Sequence, residues 1–454
     1  MKNITTYKNK KILVLGLAKT GVSVAKALHK LGAIITVNDG KPLAENPEAQ
    51  ELIELGITVI TGSHPVELLD DGIELIFKNP GIPYTVEMLQ RAKQLKIPVI
   101  TDVELAYQIS DAPIIGITGT NGKTTTTTLI GELLNAERKH GGAAFLAGNI
   151  GIPANDIAVE VTHKDDIVME LSSFQLKGTQ TFRPHIAVIT NLYEAHLDWH
   201  ETREDYVASK WKIQVNMTSE DILILNANQE ELRELGKTSK ASVVYFSTEH
   251  HLDHGASYHE GGIYYHTEHI IDVEDVALAG MHNVENILAA VIVAKIKGVT
   301  NEAIAQVLAA FGGVAHRTQF VGEINGRKIY NDSKATNILA TQKALDGFPK
   351  ERTILIAGGL DRGNGFDELI PSLTGVKAAV FVGETKHKLE AAAKAAGIAQ
   401  VRLSKNVETA AKEAYNLSSE GDFILLSPAN ASWDQYPNFE TRGEMFMKAV
   451  NNLK

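Results

Sequence analysis

A loop of small residues, GITGTNGKTTTTTL at positions 116–129, combines glycines, a lysine and hydroxyl groups in one register. Glycines let backbone N–H groups converge on phosphate oxygens, a lysine can reach the β- and γ-phosphates, and a hydroxyl can bind Mg²⁺. Ile117 occupies the first glycine position of the standard loop, and Gly116 lies one residue earlier. We therefore predict a variant phosphate-binding loop for an ATP-type nucleotide, rather than a turn with an incidental lysine. Its predicted ligands are Gly119, Thr120, Asn121, Gly122, Lys123, Thr124 and Thr125.

Acidic and imidazole side chains follow two later apolar runs that are typical of buried strands. Glu170 ends the run DIVME, and His196 and Asp198 follow the run HIAVITNL. Because the carboxyl ends of parallel strands meet at one edge of a sheet, Thr124, Glu170 and His196 could converge on metal ions and phosphate. Taken singly, Glu170 could cap a helix and His196 could be a structural histidine. Together they favour phosphoryl transfer.

The elements that must position these residues form a repeating pattern. A length of 454 residues predicts roughly three domains of about 150 residues each, and short apolar runs alternate with helical spacing along the chain. We predict an α/β protein with a Rossmann-like domain at 1–110, a central P-loop ATPase-type domain at 111–314 and a Rossmann-like domain at 315–454. A β-rich excursion at 235–275 contains six histidines, whose spacing matches no standard zinc site.

Composition excludes several classes of protein. The net charge of −11 argues against nucleic acid as the main partner, because binding to a phosphate backbone requires a basic surface. The absence of cysteine excludes disulfides, thiolate metal sites and cysteine nucleophiles. No apolar run approaches the ~18 residues of a membrane span, and no signal peptide precedes the first strand. We expect a cytoplasmic monomer without membrane insertion.

A second glycine-containing turn lies near the amino terminus. The segment GLAKTG places Gly16, Ala18 and Gly21 before Asp39, which ends the predicted strand AIITVND. Apolar spacing between the turn and this strand predicts a helix from Val22 to Leu31. This pattern is similar to a dinucleotide fingerprint with alanine in the middle position. It is compatible with a diphosphate at the helix N-terminus and Asp39 near a sugar or base, and equally with a tight turn capped by Asp39.

Further polar residues lie in and beyond the central domain. Lys210 stands beside Trp211 in an amphipathic segment, where an ordinary lysine would be solvated or would extend along the surface. A nucleotide clamped between two domains would need donors such as those near the second predicted boundary. These are Asn283, Asn286, Arg317, Asp332 and Lys334.

Seven motifs spread over the whole chain resemble the Mur ligase family. They are GITGTNGKTT, MELSSFQL, HLD, HNVEN, AHR, NDSKATN and SPANASWDQYPNFETRG. The phosphate loop is shared by several amino-acid-adding ligases and by folylpolyglutamate synthase, whereas the last two motifs resemble the members that add D-glutamate. The resemblance implies ATP-dependent ligation of D-glutamate to UDP-N-acetylmuramoyl-L-alanine through an acyl phosphate, in peptidoglycan precursor synthesis.

The resemblance also implies roles for individual residues. The implied catalytic residues are Lys123, Glu170, His196 and Lys210. Two Mg²⁺ ions would be held by Thr124, Glu170 and His196, with Lys210 acting indirectly as a carbamate. ATP would also contact Asn283, Asn286, Arg317 and Asp332. The UDP-substrate would contact Leu17, Ala18, Asp39, Asn79, Gly81 and Asn149. D-Glutamate would contact Lys334, Thr336, Arg362, Ser432 and Phe439.

One departure and three alternatives accompany this interpretation. The second strand is followed by DGK, where other members of the family carry Asp-Thr-Arg. A nicotinamide dehydrogenase would use GLAKTG but leave the phosphate loop and the carboxyl-terminal motif without a role. A nucleotide-driven switch would use the loop but not NDSKATN. Another member of the family would share the central domain, and its dependence on a UDP-sugar would distinguish it.

Overall fold

The computed structural model describes residues 1–2, 4–139, 141–278 and 280–453, with the backbone alone at Asp198. The chain divides into two compact units, which are Met1–Asp275 with Met281–Val307, and Val276–Gly280 with Leu308–Lys454. The described residues form three sheets, one in each predicted domain, and the first two lie in the first unit. Helices alternate with mainly parallel strands in all three, so the predicted α/β class is confirmed.

The first sheet has five parallel strands in the order β3-β2-β1-β4-β5. The strands are β1 (Lys11–Leu15), β2 (Ile34–Asp39), β3 (Thr58–Thr61), β4 (Leu75–Lys78) and β5 (Val99–Ile100). The helices are α1 (Ala18–Lys30), α2 (Glu48–Glu54), α3 (Glu87–Gln94) and α4 (Asp102–Ile109). Apolar spacing predicted that α1 begins at Val22; it begins at Ala18, because its first turn carries polar and small residues that the apolar pattern does not register.

The central sheet has nine strands in the order β14-β13-β12-β11-β10-β9-β6-β8-β7. The strands are β6 (Ile114–Thr118), β7 (Ala144–Gly148), β8 (Asp166–Glu170), β9 (Ile186–Ile189), β10 (Ile222–Asn226), β11 (Ser242–Ser247), β12 (Gly255–His259), β13 (Gly262–Tyr265) and β14 (Glu268–Asp272). The helices are α5 (Lys123–Ala136), α6 (Ala154–Ala158), α7 (Ser173–Lys177), α8 (Leu197–His200), α9 (Arg203–Trp211), α10 (Glu230–Gly236) and α11 (Met281–Ile296). Within the predicted β-rich excursion at 235–275, β11 pairs parallel with β10 and β12, whereas β12–β14 pair antiparallel with one another.

The strand order of the central sheet determines what can meet at its carboxyl edge. Strand β6 lies between β8 and β9, and all three are parallel. Ile117 pairs with Glu170, and Thr118 pairs with Ile189. The loop after β6, the end of β8 and the segment after β9 are therefore neighbours.

The third sheet has six strands in the order β15-β16-β20-β17-β18-β19, with only β15 and β16 antiparallel to each other. The strands are β15 (Gln319–Ile324), β16 (Arg327–Asn331), β17 (Thr353–Gly358), β18 (Ala378–Val382), β19 (Gln400–Leu403) and β20 (Phe423–Leu426). The helices from residue 301 onward are α12 (Asn301–Ala310), α13 (Ile338–Leu345), α14 (Ile370–Leu373), α15 (Lys386–Ala395), α16 (Val407–Leu417) and α17 (Phe439–Asn451). Separate apolar clusters cover the two faces of the sheet.

The first two sheets share a continuous apolar core. Helices α1 and α4 pack against α6, and aliphatic residues of both sheets belong to the same buried cluster. This shared core explains why the two predicted domains form a single unit, and the boundary near residue 110 stays a prediction. Among the described helices, none combines the length and the apolar character that a membrane span requires.

Candidate active site

The loop between β6 and α5 is shaped by two glycines with positive φ. Gly119 has φ 148° and Gly122 has φ 80°, conformations that disfavour residues with a Cβ. A Cβ at Gly119 would lie 1.9 Å from Thr190 Oγ1, and one at Gly122 would lie 2.0 Å from Asn286 Oδ1. The backbone can therefore pass this close to its neighbours only with glycine at both positions, and these contacts fix the path of the loop into the first turn of α5.

Hydrogen bonds fasten this loop to the segment after β9. The N–H of Thr120 donates to Asn191 O (2.9 Å), and that of Asn121 donates to Asn191 Oδ1 (2.8 Å). Thr190 Oγ1 donates to Asn121 O (2.6 Å). Two of the predicted phosphate ligands thus use their N–H groups within the protein. A phosphate bound at this loop would therefore have to meet the N–H groups at the start of α5, since the first residues of a helix have no intrahelical acceptor.

The start of α5 is supported from α11. Thr126 Oγ1 donates to Asn286 Oδ1 (3.3 Å), and Asn286 Nδ2 donates to Asn283 Oδ1 (3.2 Å). Asn286 is almost fully buried. The sequence interpretation assigned both asparagines to ATP; the structure places Asn286 behind the loop, where its side chain supports Gly122. Thr124 is also largely buried, in the first turn of α5.

Two lysine side chains converge on one carbonyl oxygen. Lys123 Nζ donates to Gly119 O (3.0 Å) and Thr120 O (2.9 Å), and Lys210 Nζ donates to Gly119 O (2.7 Å). Lys210 lies at the end of α9 and is only 2% exposed, so it is not a solvated lysine. Burial first, and then the nearby Lys123, lower its pKa well below the usual value, while Glu170 opposes the shift.

Glu170 provides a buried carboxylate near Lys210. Its Oε1 accepts from Asn149 Nδ2 (2.8 Å), and its Oε2 is buried without a hydrogen-bond partner among the described residues. A desolvated oxygen of this kind costs free energy unless a cation or donor meets it, so Glu170 fits a metal ion. The structure therefore places Asn149, predicted to face the UDP-substrate, beside Glu170 at the edge of the central sheet.

A metal ion at this edge would have few ligands from the protein. Within the described ranges, no group of three or more His, Asp or Glu side chains could hold one. Mg²⁺ commonly uses one or two carboxylates together with waters and substrate phosphates. Glu170 Oε2 and the hydroxyl of Thr124 at the helix start are both oxygen ligands, which therefore suit Mg²⁺ better than zinc.

His196 lies at the N-cap of the short helix α8, with φ 56°. Its ring packs edge-on against Phe174, with centroids 5.1 Å apart. Phe174 belongs to α7, which starts three residues after Glu170. The structure thus places His196 on the segment after β9, beside residues that follow β8. The side chain of Asp198 lies outside the described part of the molecule.

A second histidine, His200, was not predicted from the sequence. It is buried, its Nδ1 lies 2.7 Å from Asp205 Oδ2, and its Nε2 lies 2.9 Å from Ser173 Oγ. Asp205 also pairs with Lys177 (2.6 Å). Burial lowers the pKa of His200. The histidine ties α8, which follows His196, to α7 and α9, and the HLDWH segment gave no sign of a partner 27 positions away.

We expect His200→Phe to lower kcat of the predicted ATP-dependent ligation about tenfold. The phenylalanine keeps a ring in the buried space but removes both hydrogen bonds that hold the His196 segment. The measurement is phosphate release at saturating substrates, with thermal melting to verify folding. His200→Gln, which retains a donor and an acceptor, should recover part of the loss. His185→Phe, on an exposed histidine, is the matched control. A His200→Phe enzyme with normal kcat would assign His200 to structure alone.

A pocket of about 280 Å³ lies at the carboxyl edge of the first sheet. It is lined by Gly16, Leu17, Ala18, Asp39, Gly40, Lys41, His64, Asn79 and Ile82. Asp39 Oδ2 accepts from the Leu17 N–H (2.8 Å), and Oδ1 accepts from the Lys41 N–H (2.9 Å). Asp39 therefore caps the turn, as one of the two open interpretations predicted, while it also lines the pocket.

The far wall of this pocket is the segment after β4. Gly81 donates its N–H to Asn79 Oδ1 (3.2 Å). The buried Lys78 donates to Asn79 O (3.1 Å) and Pro80 O (2.9 Å), and burial lowers its pKa to about 7. Four of the six residues predicted for the UDP-substrate line the pocket, and Gly81 adjoins it. Lys41, which ends the DGK segment, and His64, which no motif indicated, are additional polar residues of the pocket.

The remaining residues predicted for ATP and D-glutamate lie in the second unit. Asp332 Oδ1 accepts from the Thr318 N–H (3.0 Å), its Oδ2 accepts from Ser427 Oγ (2.9 Å), and burial raises its pKa to about 6. Arg317 contributes a weaker, opposing effect on that pKa. Both oxygens of Asp332 thus already have protein donors.

The residues predicted for D-glutamate lie on loops of the same unit, except Phe439, which begins α17. Lys334 Nζ stands 5.5 Å from the centroid of the Phe439 ring, and the Thr336 N–H donates to Lys334 O (2.9 Å). Ser432 Oγ is buried without a hydrogen-bond partner among the described residues. Arg362 stacks on an exposed tryptophan of the Ser432 loop. The orphaned hydroxyl is the strongest sign of a ligand here, since buried hydroxyls normally have partners.

Arg442 is a further unpredicted residue of this region. It is 1% exposed, and burial lowers its pKa to about 10. Its guanidinium donates to Ser333 O (2.8 Å), Ser333 Oγ (3.0 Å) and Asn430 O (3.0 Å). It thereby joins the loop of Lys334 to the loop of Ser432. Its place in the motif NFETRG was visible, but its buried role depends on contacts about 110 residues away in sequence.

Models of three protein domains match successive parts of the chain. They are "Mur ligase MurD-like, N-terminal domain" over residues 10–101, "Mur ligase middle domain" over 117–294 and "Mur ligase, glutamate ligase domain" over 316–430. The chain is 62% identical over 452 residues to the UDP-N-acetylmuramoylalanine–D-glutamate ligase of Enterococcus hirae, covering 100% of this chain and 98% of that protein. It is 57% identical to the enzyme of that name from Lactococcus lactis subsp. cremoris (strain MG1363), with 100% of both covered.

Solved structures agree at the level of the fold. The UDP-N-acetylmuramate–alanine ligase MurC of Thermotoga maritima superposes with a TM-score of 0.57 at 19% identity, covering 98% of this chain and 100% of that one. The MurF ligase of the same organism, crystallised with ADP, gives a TM-score of 0.54 at 18% identity, covering 99% and 97%. At these identities the likeness concerns the arrangement of helices and strands.

Proposed function

Because the chain belongs to the Mur ligase family, we propose that it joins D-glutamate to UDP-N-acetylmuramoyl-L-alanine in an ATP-dependent step of peptidoglycan precursor synthesis. The observation that carries the proposal is the 62% identity over 452 residues to a ligase named for these two substrates. The carboxyl edge of the central sheet supports it, since a glycine-containing loop that leads into a helix N-terminus, two lysines that donate to that loop and a buried carboxylate with one unsatisfied oxygen lie at this edge.

The first chemical step activates the substrate's terminal carboxylate. One carboxylate oxygen attacks the γ-phosphorus of ATP, and the bond between this phosphorus and the oxygen that bridges to the β-phosphate breaks. ADP departs, and the substrate carboxylate has become an acyl phosphate. Lys123 and the N–H groups at the start of α5 face the phosphate charge that shifts during this transfer. Mg²⁺, held by Thr124, Glu170 and His196, would neutralise the crowded oxyanions when bound. We propose that two Mg²⁺ ions bind at this site.

In the second step the amine of D-glutamate attacks the acyl carbon. The amine loses a proton, an amide forms, and inorganic phosphate leaves with the bonding electrons of the C–O bond. Activation is needed because a carboxylate at neutral pH is a poor electrophile. Water must be kept from the acyl phosphate, because hydrolysis would release the same phosphate without ligation.

The remaining assignments follow the same proposal. The UDP moiety occupies the pocket of the first sheet, with Leu17, Ala18, Asp39, Asn79 and Gly81 around it, and Lys41 is added because it lines that pocket. Asn149 acts on the reacting end of this substrate, beside Glu170. Asn283, Arg317 and Asp332 stay assigned to ATP, and Asn286 acts through the loop that it supports.

The D-glutamate pocket consists of Lys334, Thr336, Arg362, Ser432 and the backbone near Phe439. A dicarboxylate needs cations and hydroxyls at fixed positions, with its amine left free for attack. Diamino acids should be rejected, because their distal ammonium would meet Lys334 or Arg362 without a counter-charge. L-Glutamate should fail because, with both carboxylates anchored, its amine points away from the acyl carbon.

We expect phosphate release only when D-glutamate accompanies ATP, Mg²⁺ and UDP-N-acetylmuramoyl-L-alanine. L-Glutamate, L-lysine, meso-diaminopimelate and L-alanine serve as parallel controls, and mass spectrometry of the product distinguishes ligation from hydrolysis. Comparable ligation of any of these four would refute the assignment. Turnover of ATP that is indifferent to amino acids would instead favour a nucleotide-driven switch.

A further inference from the structure

Trp433 is the most exposed of the large hydrophobic residues in the described chain, with 65% of its surface accessible. The preceding residue, Ser432, is 2% exposed, and its Oγ has no hydrogen-bond partner among the described residues. The guanidinium carbon of Arg362 stands 5.3 Å from the centroid of the indole. An exposed indole, a stacked cation and an orphaned hydroxyl on adjoining loops indicate a surface built for a ligand.

The two loops that carry these residues are locked together. The N–H of Leu360 donates to Ala431 O (3.0 Å), and Asn430 Nδ2 donates to Leu360 O (3.2 Å). A Cβ at Gly359, which has φ 155°, would lie 2.2 Å from Ala431 O. The backbones of the two loops are therefore in direct contact three residues before Arg362 and two residues before Trp433. Because these contacts hold the two backbones together, the side chains of Arg362 and Trp433 are the parts that can change their relative orientation.

The stack controls the orientation of Arg362 without using its hydrogen-bond donors. A cation over an aromatic ring is attracted to the face of the ring, whereas the N–H groups of a guanidinium lie in its own plane. The neighbouring Asp361 does not compete, because its carboxylate accepts from Lys388 (2.8 Å) and from the Gly363 N–H (2.9 Å). Among the described residues, Arg362 forms no ion pair or hydrogen bond.

We propose that Trp433 is a positioning residue of the amino-acid pocket, whose indole holds the Arg362 fork toward a carboxylate of the incoming D-glutamate. The inference rests on the proposed function. The flat indole lowers the number of orientations open to the long arginine side chain. Bidentate pairing with a carboxylate then costs less conformational entropy on binding.

The test compares Trp433→Leu, Trp433→Phe, Arg362→Ala and the double variant Trp433→Leu/Arg362→Ala. An exposed cation–π contact of ordinary strength corresponds to about a two- to fivefold change in binding. We expect Trp433→Leu to raise KM for D-glutamate by that factor with kcat within twofold, and Trp433→Phe to stay close to the wild type. In the Arg362→Ala background, Trp433→Leu should have no further effect on KM.

A matched control is Tyr415→Leu, which removes the stack between Arg327 and Tyr415 (4.9 Å) elsewhere in the same unit and should leave KM unchanged. As a second readout, D-glutamate should change the tryptophan fluorescence of the wild type more than that of Trp433→Phe. An unchanged KM in Trp433→Leu, or additive effects with Arg362→Ala, would overturn the inference. Failure of the wild type to ligate D-glutamate would overturn the proposed function instead.

Discussion

Lys123→Ala is expected to lower turnover at least about 10²-fold, the usual loss when an electrostatic contact to a reacting oxyanion is removed. In the structure the ammonium donates to the carbonyls of Gly119 and Thr120. Phosphate binding must replace these carbonyls by phosphate oxygens, whose negative charge attracts the ammonium more strongly. We therefore expect the lysine to shape the loop before ATP binds and to neutralise phosphate charge afterwards.

The fold should survive this substitution. Two hydrogen bonds to loop carbonyls contribute only about 0.5–1.5 kcal/mol each, against a typical free energy of unfolding of 5–15 kcal/mol. The measurement is phosphate release with all three substrates, accompanied by thermal melting. Lys139→Ala, on an exposed lysine beyond the other end of α5, is the control. Turnover of Lys123→Ala within a few-fold of the wild type would remove the phosphate-loop assignment.

Local sequence patterns were sufficient for the class of the fold. Alternation of apolar runs with helical spacing predicted parallel sheets. The strand that Glu170 ends and the strand that precedes the loop are adjacent in the central sheet. That adjacency required only the general rule that parallel strands end at the same edge. The start of α1 was misplaced by four residues because apolar spacing does not register a polar first turn.

Buried polar residues could not be predicted in the same way. His200, Arg442 and Lys78 are each buried, and each owes its environment to partners or packing that no periodicity encodes. The nearest signal was the occurrence of Arg442 in a motif, which indicates importance but no contact. The role of Asn286 behind the loop likewise depends on helix α11, which returns to α5 after about 145 residues of intervening chain.

Lys210 combines both situations, since the resemblance to the family indicated its importance and only the structure showed its burial. A buried lysine with a lowered pKa is neutral over a wider pH range, because the ammonium is lost as soon as the pH exceeds the pKa of the folded state. A neutral amine can attack CO₂, releasing one proton and forming a carbamate. The product is an anion beside Lys123, where an ammonium would add a second positive charge.

We therefore expect Lys210 to be carbamylated in the active enzyme and Lys210→Ala to lose at least about 10²-fold in kcat, since the anion that balances Lys123 is gone. A small carboxylate such as acetate or formate should restore part of the activity of Lys210→Ala by entering the vacated space. Lys210→Arg, which keeps the positive charge and cannot form the carbamate, should be inactive and should not respond to carboxylates.

Carbon-13 NMR with labelled bicarbonate provides the direct measurement. We expect a carbamate resonance in the wild type that is absent from both variants. Its intensity should fall with decreasing pH, because a protonated amine cannot attack CO₂ and because carbamate formation releases a proton, so that acid favours the reverse reaction. Activity should fall with it and should recover when bicarbonate is added, more strongly at the lower pH. Full activity in an enzyme whose Lys210 stays unmodified by NMR would show that the neutral amine itself is the functional form, held by Gly119 O and by its burial next to Glu170.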